Sequence, residues 1–105
     1  MRVISFLLGV AALGSAAPSA PKPLATLYTV RNYDGDAFPM YESGKCVDLP
    51  TLFSHNIESI NLAKGVKCRL YYVPKCVPVD YYNEFTKNET FIDNPVWEAA
   101  RCYSS

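Results

Sequence analysis

The chain has little of what most catalytic and metal sites are built from. It has one histidine, His55, one tryptophan, Trp97, and no Cys-x-x-Cys pair in its 105 residues. A zinc site needs four closely spaced nitrogen or sulfur ligands, and the sequence offers no such set. An excess of one charge is missing too, since ten Lys and Arg balance ten Asp and Glu. No basic stripe points to nucleic acid, and no acidic block forms a solvating tail. A cationic surface for attacking membranes is equally absent. No stretch holds a 3.6-residue apolar period over three turns, which argues against a helical bundle. The apolar run Val3–Leu13 falls short of the roughly 20 residues a helix needs to cross hydrocarbon.

That run instead reads as targeting. Arg2 precedes it, and the small residues Gly14, Ser15, Ala16 and Ala17 follow, the order found in a secretory signal peptide. We expect residues 1–16 to be removed, with cleavage after Ala16. Residues 17–24 form a proline-rich extended leader, with Pro18, Pro21 and Pro23 within seven residues. One domain follows, over 25–105. A domain this small has a marginal core. Its four cysteines, Cys46, Cys68, Cys76 and Cys102, are even in number, which in an oxidising compartment reads as two disulfides with three pairings open. Asn88-Glu89-Thr90 is an N-glycosylation sequon and marks an exposed loop.

Short β-prone runs divide the domain: 25–30, 37–41, 46–49, 57–62, 66–73 and 77–82, with turn residues between them. The end, 96–103, fits one helical turn or a last strand. The pattern predicts an all-β antiparallel sandwich or small barrel. Leu27-Tyr28-Thr29-Val30 is echoed by Leu70-Tyr71-Tyr72-Val73, a repeat of roughly forty residues that implies two Greek keys. Tyr71-Tyr72 and Tyr81-Tyr82 place one ring on each side of an extended strand, one to the core and one outward.

Within the first repeat, Tyr28, Tyr33 and Gly35 stand as an aromatic, an aromatic five later and a glycine seven later. Gly35 permits a sharp fold-back that a Cβ opposes. With the segment from Cys46 to Ile60, including Ser59, and the segment from Lys64 to Tyr71, these residues resemble the βγ-crystallin superfamily. Within it, they are most similar to the small secreted fungal and killer-toxin-like members. The second half departs from the pattern, with Cys76 and Pro78 where the aromatic and glycine belong. The resemblance implies a two-Greek-key sandwich of about eight strands, disulfide-stapled, each sheet borrowing its third strand from the other motif. It also implies Cys46–Cys102 and Cys68–Cys76 bridges, with Cys46–Cys68 and Cys76–Cys102 left open as the competing pairing.

Many members of that superfamily bind calcium once per Greek key, through paired Asn or Asp, two free positions and two hydroxyls. The corresponding segments here are 54–59 and 94–99. Their weak candidates are Glu58, Ser59, Asn94 and Glu98. Calcium needs six to eight oxygens. Neither segment begins with a carboxylate, and Pro95 and Ala99 offer no side-chain oxygen, so no metal or other cofactor is expected. Asp34 and Asp36 flank Gly35 as turn aspartates rather than as an acid–base pair. His55 is the only imidazole, and a hydrolase also needs a nucleophile and an orienting third group. The reading is a secreted, extracellular, non-enzymatic binding protein, acting as an effector, a toxin-like antimicrobial or a wall-associated factor. Its partner is an extracellular protein or a cell-wall glycan. A calcium-binding structural module and a small secreted hydrolase are the alternatives.

Overall fold

The structure, a computed structural model, describes residues 21–77, 81–93 and 96–104. The expected signal peptide lies outside the described residues, as do residues 17–20 of the leader, Pro78 and the calcium candidate Asn94. Seven strands are described: β1 (Ala25–Val30), β2 (Asp34–Met40), β3 (Cys46–Asp48), β4 (Ser59–Leu62), β5 (Lys67–Tyr71), β6 (Tyr82–Phe85) and β7 (Ala99–Tyr103). They form two antiparallel sheets, ordered β2-β1-β4 and β3-β7-β5-β6. None of the helical segments among the described residues is long and apolar enough to cross a membrane.

The order within the second sheet carries the interlocked topology. β3 comes from the first half of the chain but pairs with β7 at the end. The reciprocal strand, which would complete the first sheet, is reduced to one bridge between Ile60 and Glu89. The all-β, two-Greek-key sandwich is therefore the observed fold, with the eighth strand shortened to that bridge.

Period-two burial explains why these segments pair as they do. In β1, Ala25 and Leu27 point inward, while β5 sends Cys68 and Leu70 inward and β7 sends Ala100 and Cys102. Ile57, Ile60, Phe53, Ile92 and Trp97 complete this inter-sheet core. Each fully buried aliphatic side chain there contributes about 1.5–3 kcal/mol relative to an exposed one. Trp97 packs against Tyr72 at 4.8 Å and edge-on to Phe85 at 6.0 Å. A smaller apolar cluster lies on the other face of the second sheet, formed by Tyr71, Cys76 and Ala99 with Cys46 and Tyr82 packed against it. Tyr71 and Tyr72 thus both find apolar neighbours, on opposite faces. The reading of one ring as core and one as outward is too simple here, because the outer face carries its own small core.

Two expectations need correction. The run 77–82 overlaps β6 only at Tyr82, since β6 begins there. Upstream, a 3-10 turn at Pro74–Cys76 folds the chain back, with left-handed backbone at Lys75 and Cys76. The ambiguous end resolves as β7, a strand rather than a helical turn. The disulfides also differ from both pairings considered, because Cys46 bonds Cys76 and Cys68 bonds Cys102. The reason is side-chain alternation. Cys46 does lie beside β7, but its register partner is Arg101, on the outer face. Cys102 is one residue on and therefore points inward, directly opposite Cys68. Cys68 and Cys76 occupy opposite faces of the sheet and cannot meet.

Candidate functional site

The two folded hairpins repeat one geometry with different chemistry. In the first, Asn32 and Tyr33 are left-handed, at φ 61° and 60°, and Gly35 follows at φ 76°. The Tyr28 and Tyr33 rings lie 5.7 Å apart. Buried Ser59 clamps the fold-back: its hydroxyl accepts the Tyr33 N–H at 3.0 Å and donates to the Val30 carbonyl at 2.7 Å. In the second hairpin Lys75 and Cys76 take the same left-handed values, 65° and 55°. Ser59 sits opposite Tyr28 in register, and Ala99 sits opposite Tyr71, so the second serine clamp is missing. Asp48 Oδ1 instead accepts the Lys75 N–H at 2.6 Å, and the Cys46–Cys76 bond stands where the aromatic pair stood. Ser59→Ala is expected to destabilise the domain by about 2 kcal/mol by stranding a donor and an acceptor in a part-buried site. Urea denaturation of the variant reads this directly.

The described calcium candidates are Glu58, Ser59 and Glu98; Asn94 lies outside the described residues. Ser59 is committed to its hairpin. Glu98 Oε2 lies 3.2 Å from His55 Nε2, so the one imidazole faces the carboxylate. Glu58 joins the structure through its backbone, donating to Tyr28 and accepting from Ile92. Among the described residues no group of three His, Cys, Asp or Glu could hold a metal ion. Glu58, Ser59 and Glu98 alone do not supply the six to eight oxygens of a calcium shell. Millimolar calcium is expected to leave the melting temperature unchanged, because a ligand that binds neither state cannot shift unfolding. A calcium-dependent rise in a thermal scan would contradict this.

Asp34 serves the turn, its Oδ1 accepting the Gly35 N–H at 2.8 Å. Asn88 is exposed, and its Oδ1 accepts the Leu62 N–H at 2.6 Å. A glycan attaches through the amide nitrogen and leaves that acceptor in place. Asn88→Ala is therefore expected to cost about 1 kcal/mol, whereas Thr90→Ala removes the sequon at no such cost. Comparing both variants after enzymatic deglycosylation separates the two effects.

A second cluster was invisible in the sequence. On the outer face of the second sheet, Arg69 of β5 stands directly opposite Arg101 of β7. Glu84 of β6 faces Arg69, with Oε1 at 3.4 Å from its Nε, and Oε2 lies 3.9 Å from Lys67 Nζ. The Arg69 guanidinium lies over the Tyr82 ring at 4.6 Å and the Tyr103 ring at 5.1 Å. Desolvation lowers its pKa, but Tyr71, Tyr82, Tyr103 and Glu84 outweigh that and hold the group above its ordinary value. The Tyr71 hydroxyl lies near enough to favour that charge. Yet neither it nor the buried Arg101 Nε makes a hydrogen bond of good geometry with any described group. Beside this face opens a groove of about 540 Å³ lined by Gly65, Val66, Lys67, Thr86, Tyr103 and Ser104. No local motif signals the pair, because two arginines 32 positions apart meet only through strand register.

No protein-family model matches the chain, and no curated protein sequence matches it significantly. Solved structures do match in shape. A βγ-crystallin domain of Abundant Perithecial Protein from Neurospora crassa, in its Ca2+-bound form, superposes with a TM-score of 0.64 at 20% identity. The match covers 83% of this chain and 94% of that one. A βγ-crystallin domain from Clostridium beijerinckii gives a TM-score of 0.65 at 16% identity, covering 78% and 99%. One from Flavobacterium johnsoniae gives 0.64 at 16%, covering 78% and 96%. The chain has the βγ-crystallin fold.

Proposed function

We propose that this protein is a secreted, non-enzymatic binding module that acts outside the cell on a wall glycan or an extracellular protein. The observation that carries the reading is the pair of disulfides, Cys46–Cys76 and Cys68–Cys102, which use all four cysteines. Such bonds persist in oxidising compartments, and the signal-like segment at residues 1–16 agrees with that destination. Binding rather than catalysis follows from the polar groups. His55 faces Glu98 in a pair open to solvent, and the cysteines are all bridged, so no thiol nucleophile accompanies them. Wall association, an effector role and a toxin-like role of the fungal type all fall within this reading.

Export and target are tested together. The tagged full chain is expressed in a eukaryotic secretory host, and medium and cells are analysed by mass spectrometry without reduction. The expected product is an oxidised chain in the medium that has lost its first 16 residues. That product is then used to capture partners from wall polysaccharide and from extracellular protein. Cell-retained chains with free thiols would overturn the reading.

A further inference from the structure

We propose that the outer face of the second sheet, where Arg69 and Arg101 stand directly opposite each other, is an oxyanion site for the carboxylate or sulfate of an acidic polysaccharide. This deepens the extracellular binding reading and rests on it for its biological setting.

The first argument is charge. Like charges directly opposite in an antiparallel pair destabilise the sheet. Arg69 and Arg101 are so placed, and Lys67 extends the row toward Tyr103. Glu84 answers this row, and it is already divided between Arg69 and Lys67. Asp48 shares this face and keeps its charge while accepting the neutral Lys75 N–H, so three cations stand against two carboxylates and the face stays net positive.

The second argument is unmet hydrogen bonding. The Tyr71 side chain is fully buried, and its hydroxyl and the buried Arg101 Nε–H have no partner among the described residues. Buried donors in folded proteins are nearly always hydrogen-bonded, which makes this face receptive to an acceptor. One oxyanion between Arg69 and Arg101 accepts from both guanidiniums, because a carboxylate or sulfate has several lone pairs and a guanidinium is a rigid fork of donors. Arg69 is already oriented by the Tyr82 and Tyr103 rings, which reduces the ordering cost of binding.

The third argument selects a sugar polymer. Lys67 and Tyr103 belong both to the charged row and to the adjoining groove, so the two surfaces are continuous. The groove's volume of about 540 Å³ falls within the ~300–1,000 Å³ typical of ligand sites. Its rim adds Thr86 and Ser104 hydroxyls and the Tyr103 ring, groups suited to a hydroxylated ring. A polyhydroxylated chain with repeating anionic groups matches this strip of donors. An acidic peptide would satisfy the arginines but not use the hydroxyl-rich groove.

The test uses the mature, oxidised protein with four probes: polygalacturonate, dextran sulfate, neutral dextran and polyglutamate. Affinity electrophoresis should show retardation by polygalacturonate or dextran sulfate, with the stronger of the two naming the anion, and none by dextran. Arg101→Gln should weaken that binding about tenfold, and Arg31→Gln, in the turn that follows β1, should not. Thermal scans keep the result independent of folding defects. Arg101→Gln should melt at or above the parent without ligand, since it removes like-charge repulsion. The acidic polymer should raise the melting temperature of the parent and not that of the variant. Equal binding by Arg101→Gln, equal retardation by neutral dextran, or binding of polyglutamate alone would overturn the proposal. An exported, oxidised protein that ignores every acidic polymer sinks this site and leaves the extracellular reading intact. Failure of export sinks that reading whatever the polymers do.

Discussion

Reduction of both disulfides is expected to unfold this domain at room temperature. The bridges span 30 and 34 residues, and chain-entropy arguments assign each about 3.5–4 kcal/mol. A domain of this size has a total stability of about 4–12 kcal/mol, so losing both removes most or all of it. The two bonds are not equivalent. Cys68–Cys102 lies in the inter-sheet core with both residues fully buried, and joins the neighbouring strands β5 and β7. Replacing that pair with alanine adds cavity cost to the lost cross-link. Cys46–Cys76 ties the borrowed strand β3 to the second hairpin turn and so holds the two halves together. Urea titrations with and without reductant, and of the Cys46→Ala/Cys76→Ala and Cys68→Ala/Cys102→Ala pairs, measure these costs. Unchanged midpoints under full reduction would contradict the account.

The second large effect falls on Gly35. Its φ of +76° is a region that side chains with a Cβ adopt at a cost of about 1–2 kcal/mol. A Cβ there would also sit 2.5 Å from Thr29 Oγ1 and 2.6 Å from Val30 Cγ2. Thr29 Oγ1 is not free to move, because it accepts the Asp36 N–H at 2.9 Å. Overpacking adds about 1–3 kcal/mol, so Gly35→Ala is expected to cost about 2–5 kcal/mol and lower the melting temperature by about 10–25 °C. Gly44 supplies the control. It has a similar φ of +79°, but the nearest atom to its added Cβ is a Tyr103 ring carbon at 4.0 Å. Gly44→Ala should therefore show the backbone cost alone. Equal losses at both positions would mean that crowding at Gly35 is not what demands glycine.

The second hairpin shows why the repeat was harder to follow through the latter half of the sequence. An aromatic and a glycine are absent at Cys76 and Pro78, and Ala99 replaces the clamping serine. The left-handed pair Lys75 and Cys76 nevertheless repeats Asn32 and Tyr33. What holds it is a carboxylate and a sulfur supplied by Asp48 and Cys46 of β3. That substitution spans the two halves of the chain, so local spacing carries no trace of it.

By itself, the sequence determined the β character of the chain. Branched and aromatic runs cut by turn residues admit no long amphipathic helix, and the resemblance carried by Tyr28, Tyr33 and Gly35 pointed to a folded hairpin. Which cysteine meets which, and that Arg69 faces Arg101, were decided only in the tertiary structure. A strand's own pattern says that successive side chains alternate. Which face they reach, and what stands opposite them, depends on register against strands more than thirty residues away, and register exists only once the sheets have paired.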